Sequence, residues 1–427
     1  MMRFNTIILA CYIVLLLNFG SQAMAAEKIF VNYSPFTAIN QDPNKGTTVN
    51  WQQIADQLNI LSPYAQWVRT YSCVNGMENV GPIAHNLGLG VAAGAWFSQD
   101  KAQNIIELDA LIAVCQKGHA DVAILGSETL HRGDLTGSEL IGYITRFRQA
   151  LPGFPVIISD IYSTLANNPD VVNASDAIMI NIYPYWEGIE IMEAVPHLHK
   201  IYLDFKRQFP DKLIVIGETG WPSAGDTIGA AVPDPLYAAF YFCSVVSWAK
   251  AENVYVFYFE AFDEPWKTLY EGPQGANWGL WDQYGNLKPY MEYGLSGYNI
   301  ADYWSCKPVL AGNGQPSIEL TFIPALGSTD NLQGKLLNIS PEDYNVVVYI
   351  YVSGNWWIKP YFNSSITKVA CNGTWTCDIT TGDNDAMATK IAVFAIPWYY
   401  SPPVLGGCGS LPDELYQNAI ANVVINR

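Results

Sequence analysis

The stretch Leu213-Ile214-Val215-Ile216-Gly217-Glu218-Thr219-Gly220-Trp221-Pro222 places a glutamate directly after a run of apolar residues. A short apolar run rich in β-branched residues is typical of a strand buried on both faces of a parallel sheet. The stretch Val122-Ala123-Ile124-Leu125-Gly126-Ser127-Glu128 has the same form and also ends in a glutamate. Because a carboxylate at the end of a buried strand needs a partner or a chemical task, these two glutamates are the first candidates for a functional site.

Further runs of this kind occur between residues 29 and 262, and helical patterns separate them. The predicted strands are Ile29–Phe36, Gln66–Cys73, Leu89–Ser98, Val122–Glu128, Pro155–Asp160, Ala177–Tyr185, Lys212–Trp221 and Val254–Phe262. The clearest predicted helices are Trp51–Leu61, Ala102–Lys117, Gly137–Ala150, Glu193–Phe209 and Pro235–Ala251. Eight strands that alternate with helices predict an α/β fold, a (β/α)₈ TIM barrel. The alternative, a doubly wound sheet, is disfavoured because Asn32-Tyr33-Ser34-Pro35-Phe36 lacks the glycines of a phosphate-binding turn.

The sequence changes in character after Tyr303. A linker containing Gly and Pro, Lys307–Pro316, is followed by short alternating segments such as Ser317–Pro324, Tyr344–Val352 and Lys390–Pro397. We therefore expect the barrel at residues 27–303 and a smaller all-β, sandwich-like C-terminal domain at residues 304–427. The aromatic residues of this second domain favour two interpretations equally, an exposed carbohydrate-binding row or a sandwich core; they are Trp356, Trp357, Tyr361, Trp375, Trp398, Tyr399 and Tyr400.

The amino terminus has the pattern of a signal peptide at residues 1–25. Arg3 precedes the apolar run Ile7–Leu17, and Ala23-Met24-Ala25 matches a cleavage site. The run is too short to span a membrane, so we expect a secreted protein, either periplasmic, extracellular or associated with a cell wall.

The charge balance limits the possible partners. Lys+Arg 22 against Asp+Glu 39 gives a net charge of −17, which excludes nucleic acid and anionic lipid as ordinary partners. Cys73, Cys115 and Cys243 lie in apolar segments and are predicted to be buried free thiols. In an oxidising compartment Cys306, Cys371, Cys377 and Cys408 allow up to two disulfides. The five histidines are scattered and no Cys-x-x-Cys pair occurs, so neither a metal nor a cofactor is predicted.

Glu128 and Glu218 end the fourth and the seventh predicted strand, and these strands lie across the mouth of a barrel from each other. Polar residues at the carboxyl ends of barrel strands face the active site. Two carboxylates that flank one bond are what a glycosidase needs. The alternative is a pair of buried carboxylates held in structural ion pairs.

The nucleophile signature of glycoside hydrolase family 17, the β-1,3-glucanases and related glucan transglycosylases, is similar to Gly217-Glu218-Thr219-Gly220-Trp221-Pro222-Ser223. The resemblance covers about residues 28–298. It continues, in chain order, through Val68-Arg69-Thr70-Tyr71, Asn181-Ile182-Tyr183-Pro184, Phe262-Asp263-Glu264-Pro265-Trp266-Lys267, Glu271 and Trp278-Gly279-Leu280. It implies a retaining mechanism with Glu218 as nucleophile and Glu128 as acid/base. One position departs from the family, because Ser127 stands where an asparagine usually precedes the acid/base; we expect Ser127 to contact the sugar 2-hydroxyl.

Other residues near the strand ends are assigned supporting roles. Arg69 and Tyr183 are expected to donate hydrogen bonds to Glu218. Glu264, Lys267 and Glu271 resemble the polar cluster of the family, either as sugar contacts or as an ion-pair network. Candidate stacking platforms for sugar rings are Tyr33, Trp96, Trp186 and Trp221. Asp160, Glu187 and Glu260 are expected to lie behind the residues that contact the substrate.

The sequence thus predicts an exported retaining glycoside hydrolase that acts on β-1,3-glucan through a covalent glycosyl-enzyme intermediate. The expected partner is a β-glucan polysaccharide or oligosaccharide, bound by a monomer. Two alternatives remain: a β-glucan transglycosylase that uses the same site, and a catalytically silent glucan-binding protein of the cell surface.

Overall fold

A computed structural model of the protein describes residues 29–305, 314–362 and 364–427. The chain divides into two compact units, with the boundary between Asp302 and Tyr303. The predicted signal peptide, Cys11 and Cys306 lie outside the described residues.

The first unit is a closed barrel of eight parallel strands, in which β1 pairs with both β2 and β8. The strands are β1 (Ile29–Asn32), β2 (Ala65–Arg69), β3 (Gly90–Ala95), β4 (Val122–Ser127), β5 (Val156–Ile161), β6 (Ala177–Asn181), β7 (Leu213–Thr219) and β8 (Val256–Tyr258). Each falls within or overlaps a predicted strand. The predicted (β/α)₈ barrel is therefore confirmed.

The helices of this unit are α1 (Trp51–Leu61), α2 (Val80–Asn86), α3 (Lys101–Gln116), α4 (Gly137–Ala150), α5 (Tyr162–Ala166), α6 (Pro169–Ala174), α7 (Ile191–Gln208), α8 (Pro235–Glu252), α9 (Thr268–Glu271) and α10 (Met291–Leu295). Local sequence explains where several begin. The Asn50 side chain accepts a hydrogen bond from the backbone of Gln53 at the start of α1. Thr136 and Glu139 form a reciprocal capping box at the start of α4.

The barrel interior has an apolar layer below a polar one. One cluster of buried or partly buried side chains from all eight strands forms the apolar layer: Phe30, Trp67, Ala92, Val122, Ile124, Ile157, Ala177, Met179, Val215 and Phe257. Two residues further along their strands come Asn32, Arg69, Ser159 and Asn181, all fully buried. Because side chains two residues apart in a strand share a face, the sequence places a polar layer at the carboxyl end of the barrel.

The second unit contains two antiparallel sheets. Its strands are β9 (Ser317–Phe322), β10 (Leu332–Leu337), β11 (Tyr344–Val352), β12 (Asn355–Lys359), β13 (Thr374–Cys377), β14 (Lys390–Pro397), β15 (Gly406–Cys408) and β16 (Ala421–Asn426), and one helix, α11 (Asp413–Asn418), precedes the last strand. The strand orders are β13-β10-β9 and β15-β12-β11-β14-β16. Residues of both sheets share one core, among them Leu336, Val348, Trp375 and Val393. The predicted all-β, sandwich-like domain is thus confirmed.

The aromatic residues of this second unit are divided between core and surface. Trp356 and Trp375 are buried, whereas Tyr361 and Tyr399 are exposed by 54% and 72%. The cysteine expectations hold in part. Cys73, Cys115 and Cys243 are buried free thiols, as predicted, and Cys371 forms a disulfide. Cys377 and Cys408 are free, so the two-disulfide arrangement that the sequence allowed is wrong.

Candidate active site

Glu218 lies near the end of β7, and three side chains hold its carboxylate. Arg69 Nη1 is 2.9 Å from Oε1, and the Tyr183 hydroxyl donates a hydrogen bond of 2.8 Å to Oε2. Ser127 Oγ donates to Oε1 over 3.2 Å. Both oxygens therefore have a fixed direction and a charge-assisted or hydroxyl partner.

Arg69 is itself fixed by the polar layer of the barrel. Its guanidinium is fully buried and donates to the Gly217 carbonyl (2.8 Å), Asn32 Oδ1 (3.2 Å), Ser159 Oγ (3.0 Å) and Ser127 Oγ (3.1 Å). A buried cation held by this many acceptors cannot turn away from its carboxylate without losing them. The Arg69–Glu218 pair is therefore preorganised.

Glu128 follows β4 in a tight turn. Its own φ is 55°, and Gly126, near the end of β4, has a φ of 80°, so both residues are in the left-handed region. The Asn181 amide donates a 2.9 Å hydrogen bond to Glu128 Oε1. Burial, followed by the negative charge of Glu218, raises the pKa of Glu128 to about 7. At neutral pH Glu128 therefore retains a proton in a substantial fraction of molecules, which is what a general acid needs.

One cleft of about 390 Å³ is lined by both glutamates. The rest of its wall is mostly aromatic and polar: His131, Ile161, Tyr162, Asn181, Tyr183, Trp186, Glu187, Phe259, Glu271 and Trp278. Trp186 is 38% exposed and packs against Trp278, with 5.7 Å between ring centroids. The barrel thus places a held carboxylate and a carboxyl group with a raised pKa beside rings suited to stacking on sugars.

Residues 31–279 match the family model of the BtgE/BtgC glycoside hydrolase domain. The chain belongs to this family. It is 27% identical to the glucan 1,3-beta-glucosidase of Saccharomyces cerevisiae, an alignment that covers 62% of this chain and 95% of the relative. It is 28% identical to the glucan endo-1,3-beta-glucosidase btgC of Emericella nidulans, over 47% of this chain and 35% of that protein.

The solved structure of a glycoside hydrolase family 17 β-1,3-glucanosyltransferase from Rhizomucor miehei is similar to this chain, with a TM-score of 0.55 and 28% identity. The match covers 62% of this chain and 96% of that one. The expected membership of glycoside hydrolase family 17 is therefore confirmed, and the chain is a glycoside hydrolase.

In this glycoside hydrolase several residues that were predicted to contact the substrate lie outside the cleft. Tyr33 is fully buried, and its hydroxyl donates to Gln57. Trp221 is 1% exposed and donates from Nε1 to the Val232 carbonyl. Neither ring has a free face on which a sugar could stack, so these two assignments are corrected. Trp96 is half-buried and packs against the Arg132 guanidinium at 4.3 Å, and it is not among the residues that line this cleft.

Ser127 also differs from the expectation, because it is 6% exposed and bridges Arg69 and Glu218. It fixes the position of the Glu218 carboxylate rather than offering a free hydroxyl to the cleft. The position that departs from the family pattern is therefore part of the Glu218 environment.

The predicted polar cluster separates into two parts. Lys267 lies 2.5 Å from Glu260 and 2.6 Å from Glu264, and all three are buried and do not line the cleft. Burial raises the pKa of Glu260. Burial acts most strongly on Glu264 and in the same direction, but the Lys267 charge and the hydrogen bonds with Glu260, Lys267 and Ser34 together leave the pKa of Glu264 lowered. Glu271 alone reaches the cleft, where its carboxylate accepts a 3.1 Å hydrogen bond from Trp278.

Some functional candidates were missed from the sequence. Asn181 holds Glu128; it stood in the quoted motif Asn181-Ile182-Tyr183-Pro184 without being given a role, and its place at the end of the apolar strand β6 was a further signal. Trp278 and Phe259 form part of the cleft wall, and Trp278 stood in a motif that was recognised without being given a role. In the part of the chain that the structure describes, no cluster of His, Cys, Asp or Glu could hold a metal ion. No helix there is long and apolar enough to cross a membrane.

Proposed function

We propose that this glycoside hydrolase cleaves β-1,3-glucan with retention of configuration, with Glu218 as nucleophile and Glu128 as acid/base. The observation that carries the proposal is the contrast between two carboxyl groups in one cleft. Glu218 is held by Arg69 and Tyr183, whereas the pKa of Glu128 is raised to about 7 by burial and by Glu218. Environments that differ in this way assign one carboxyl group to attack and the other to proton transfer.

The substrate class rests on the relatives and on the chemistry of the cleft. The relatives in yeast and Emericella are named as 1,3-beta-glucosidases, and a Rhizomucor active-site mutant with 28% identity to this chain was solved with laminaritriose. The cleft offers the rings of Trp186, Tyr183 and Phe259 together with carboxyl and amide groups. Such a surface suits a neutral, hydroxylated polymer.

In the mechanism, Glu218 attacks the anomeric carbon while Glu128 protonates the departing glycosidic oxygen. The Arg69 and Tyr183 contacts aim the Glu218 oxygens before the substrate arrives. Glu128 then takes a proton from the incoming acceptor, and the covalent bond to Glu218 breaks. When the acceptor is water the reaction is hydrolysis; when it is a sugar hydroxyl the reaction is transfer.

We assign hydrolysis as the main reaction, and we propose that the protein is secreted. The second candidate, transglycosylation, is supported by the name of the Rhizomucor structure, a glucanosyltransferase. We also propose that residues 27–303 carry the whole active site, because every residue held near Glu128 and Glu218 precedes Asp302. A protein that ends near residue 304 is then expected to cleave soluble oligosaccharides.

Azide rescue tests these roles directly. In Glu218→Ala, turnover of an aryl β-laminaribioside should be lost, and added azide should yield a glycosyl azide of inverted configuration. In Glu128→Ala, azide should yield the retained product. Glu292→Ala, which changes an exposed glutamate outside the cleft, serves as control and should keep normal turnover. Normal turnover by Glu218→Ala would contradict the proposal.

Product analysis separates the two reactions. Laminari-oligosaccharides incubated with the wild-type protein should give shorter products by mass spectrometry. Products longer than the starting oligosaccharide would instead assign the chain to the transglycosylases.

A further inference from the structure

Asp160 is a fully buried carboxylate that does not line the cleft. It lies in β5, and both of its oxygens accept backbone hydrogen bonds. Oδ2 accepts from Leu130 at 2.9 Å and from His131 at 3.4 Å, and Oδ1 accepts from Ile161 at 2.8 Å. Burial raises the pKa of Asp160, and the three N–H donors oppose that effect by favouring the ionised carboxylate, which is an acceptor only.

The amides that Asp160 holds belong to the turn that carries the proposed acid/base. Leu130 and His131 follow Glu128 by two and three residues. The amide of Glu128 itself donates to the Ser159 carbonyl at 2.9 Å. Strand β5 therefore holds the turn at the Glu128 amide and again two and three residues later, around a Glu128 backbone whose φ is 55°. A residue in this sparsely populated region persists when its surroundings hold it there.

Asp160 also brings a negative charge close to Glu128. Burial raises the pKa of Glu128 most, followed by Glu218, and Asp160 acts in the same direction. The Asn181 hydrogen bond and the Arg132 charge oppose them. The other titratable groups of the cleft wall are His131, Tyr162, Tyr183, Glu187 and Glu271.

We propose that Asp160 is a positioning residue for Glu128: it holds the turn that aims the acid/base, and it keeps an anion beside it. The inference rests on the proposed function, because it gives Asp160 a role only through the proton transfer of Glu128. Asp160 would then influence proton transfer by Glu128 without contacting the substrate.

Three variants test this role. Asp160→Asn keeps an acceptor for Leu130 and His131 and removes the charge. Asp160→Ala removes both. Asp176→Asn is the matched control, because Asp176 accepts a 2.9 Å hydrogen bond from the Val156 amide at the opposite end of the same strand.

In Asp160→Asn, the basic limb of the kcat/KM profile for laminari-oligosaccharides should move to lower pH by about half a unit, since the anion no longer favours the protonated acid. In Asp160→Ala, kcat for these substrates should fall by about 10²-fold with little change in KM. The kcat/KM for 2,4-dinitrophenyl β-laminaribioside should be spared in both, because this leaving group needs no proton. Asp176→Asn should leave the pH profile unchanged.

Equal losses on both substrates in Asp160→Ala, with an unshifted basic limb in Asp160→Asn, would overturn the inference and leave Asp160 a merely structural residue. A second measurement does not need turnover. In a ¹³C NMR titration, with the Glu128 carboxyl signal assigned by means of Glu128→Gln, the pKa of Glu128 should be lower in Asp160→Asn than in the wild-type protein. An inactive wild-type protein would contradict the proposed function, whereas an unshifted titration would contradict the role of Asp160.

Discussion

Two groups of residues place glutamates near the carboxyl ends of barrel strands. The cleft pair consists of Glu128 and Glu218, and the buried cluster consists of Glu260, Glu264 and Lys267. In the cleft pair Glu128 follows β4 and Glu218 lies near the end of β7, and the buried cluster follows β8. In the buried cluster one lysine lies between two glutamates, and none of the three lines the cleft. In the cleft pair only Glu218 contacts a cation, and both side chains face the open cleft.

The difference shows what separates chemistry from architecture among similar residues. In the buried cluster one lysine balances one negative charge, and Glu264 carries it, because the pKa of Glu264 is lowered whereas that of Glu260 is raised. Removing Glu264 therefore leaves the Lys267 charge unpaired or forces Glu260 to ionise. A carboxyl group that faces an opening, without a contacting cation, can exchange a proton with a substrate. Access and the choice of partner, more than residue type, therefore assign these glutamates their roles. Four predictions test this comparison.

The largest effect is expected from exchanging a carboxylate for an amide in each region. Glu218→Gln should lower kcat/KM on laminari-oligosaccharides by about 10⁴-fold or more, since the amide cannot attack the anomeric carbon. It should cost less stability than Glu264→Gln, because Arg69 keeps four other hydrogen-bond acceptors. Glu264→Gln should do the reverse: it should lower the free energy of unfolding by about 3 kcal/mol and keep most of the activity. Urea titration and steady-state kinetics on both variants measure the contrast. A Glu264→Gln protein that is stable but inactive would place the buried cluster among the catalytic residues.

Removing one hydroxyl beside Glu218 is expected to have the next largest effect. Tyr183→Phe deletes the 2.8 Å hydrogen bond to Glu218 and should reduce kcat by about 10- to 100-fold, the usual worth of a hydrogen bond to a charged group. Tyr241→Phe is the control, because its hydroxyl lies 2.6 Å from Thr219, the residue after Glu218, but not in the cleft. If both variants lose kcat equally, the Tyr183 contact has no special role.

The activity should also depend on pH through Glu128. Its pKa is raised to about 7, first by burial and then by Glu218. Since the acid must be protonated, kcat/KM on laminari-oligosaccharides should fall about tenfold for each pH unit above about 7. The kcat/KM for 2,4-dinitrophenyl β-laminaribioside should show no such basic limb. A flat profile to pH 9 on both substrates would contradict the assignment of Glu128.

The smallest effect is expected at the rim of the cleft. Trp186→Ala removes a partly exposed ring that packs against Trp278, and it should raise KM several-fold with little change in kcat. Tyr284→Ala removes a ring that is 80% exposed and lies outside this cleft, so it should leave both constants unchanged. Equal behaviour of the two variants would mean that Trp186 does not bind sugar.

Much of the fold could be predicted because its signals are local. Neighbouring residues alone form the apolar runs of β4 and β7 and the helix cap at Asn50, so these features can be recognised from short stretches of sequence. Ring accessibility could not be read in the same way. Tyr33 follows a strand as a cleft residue would, yet Phe262, more than two hundred residues later, packs edge-on against it.

The sequence by itself determined the barrel, the all-β second unit and the two glutamates at strand ends, because period-two and apolar patterns specify strands wherever they occur. Only the tertiary structure decided which polar residues meet. Asn32 donates to the Gly217 carbonyl, a partner 185 residues away, and Asp160 reaches across from β5 to the turn of Glu128. The physical reason is that a hydrogen bond depends on distance in space. Closing the barrel brings together strand ends that are far apart in the sequence, and no local pattern shows which of them will meet.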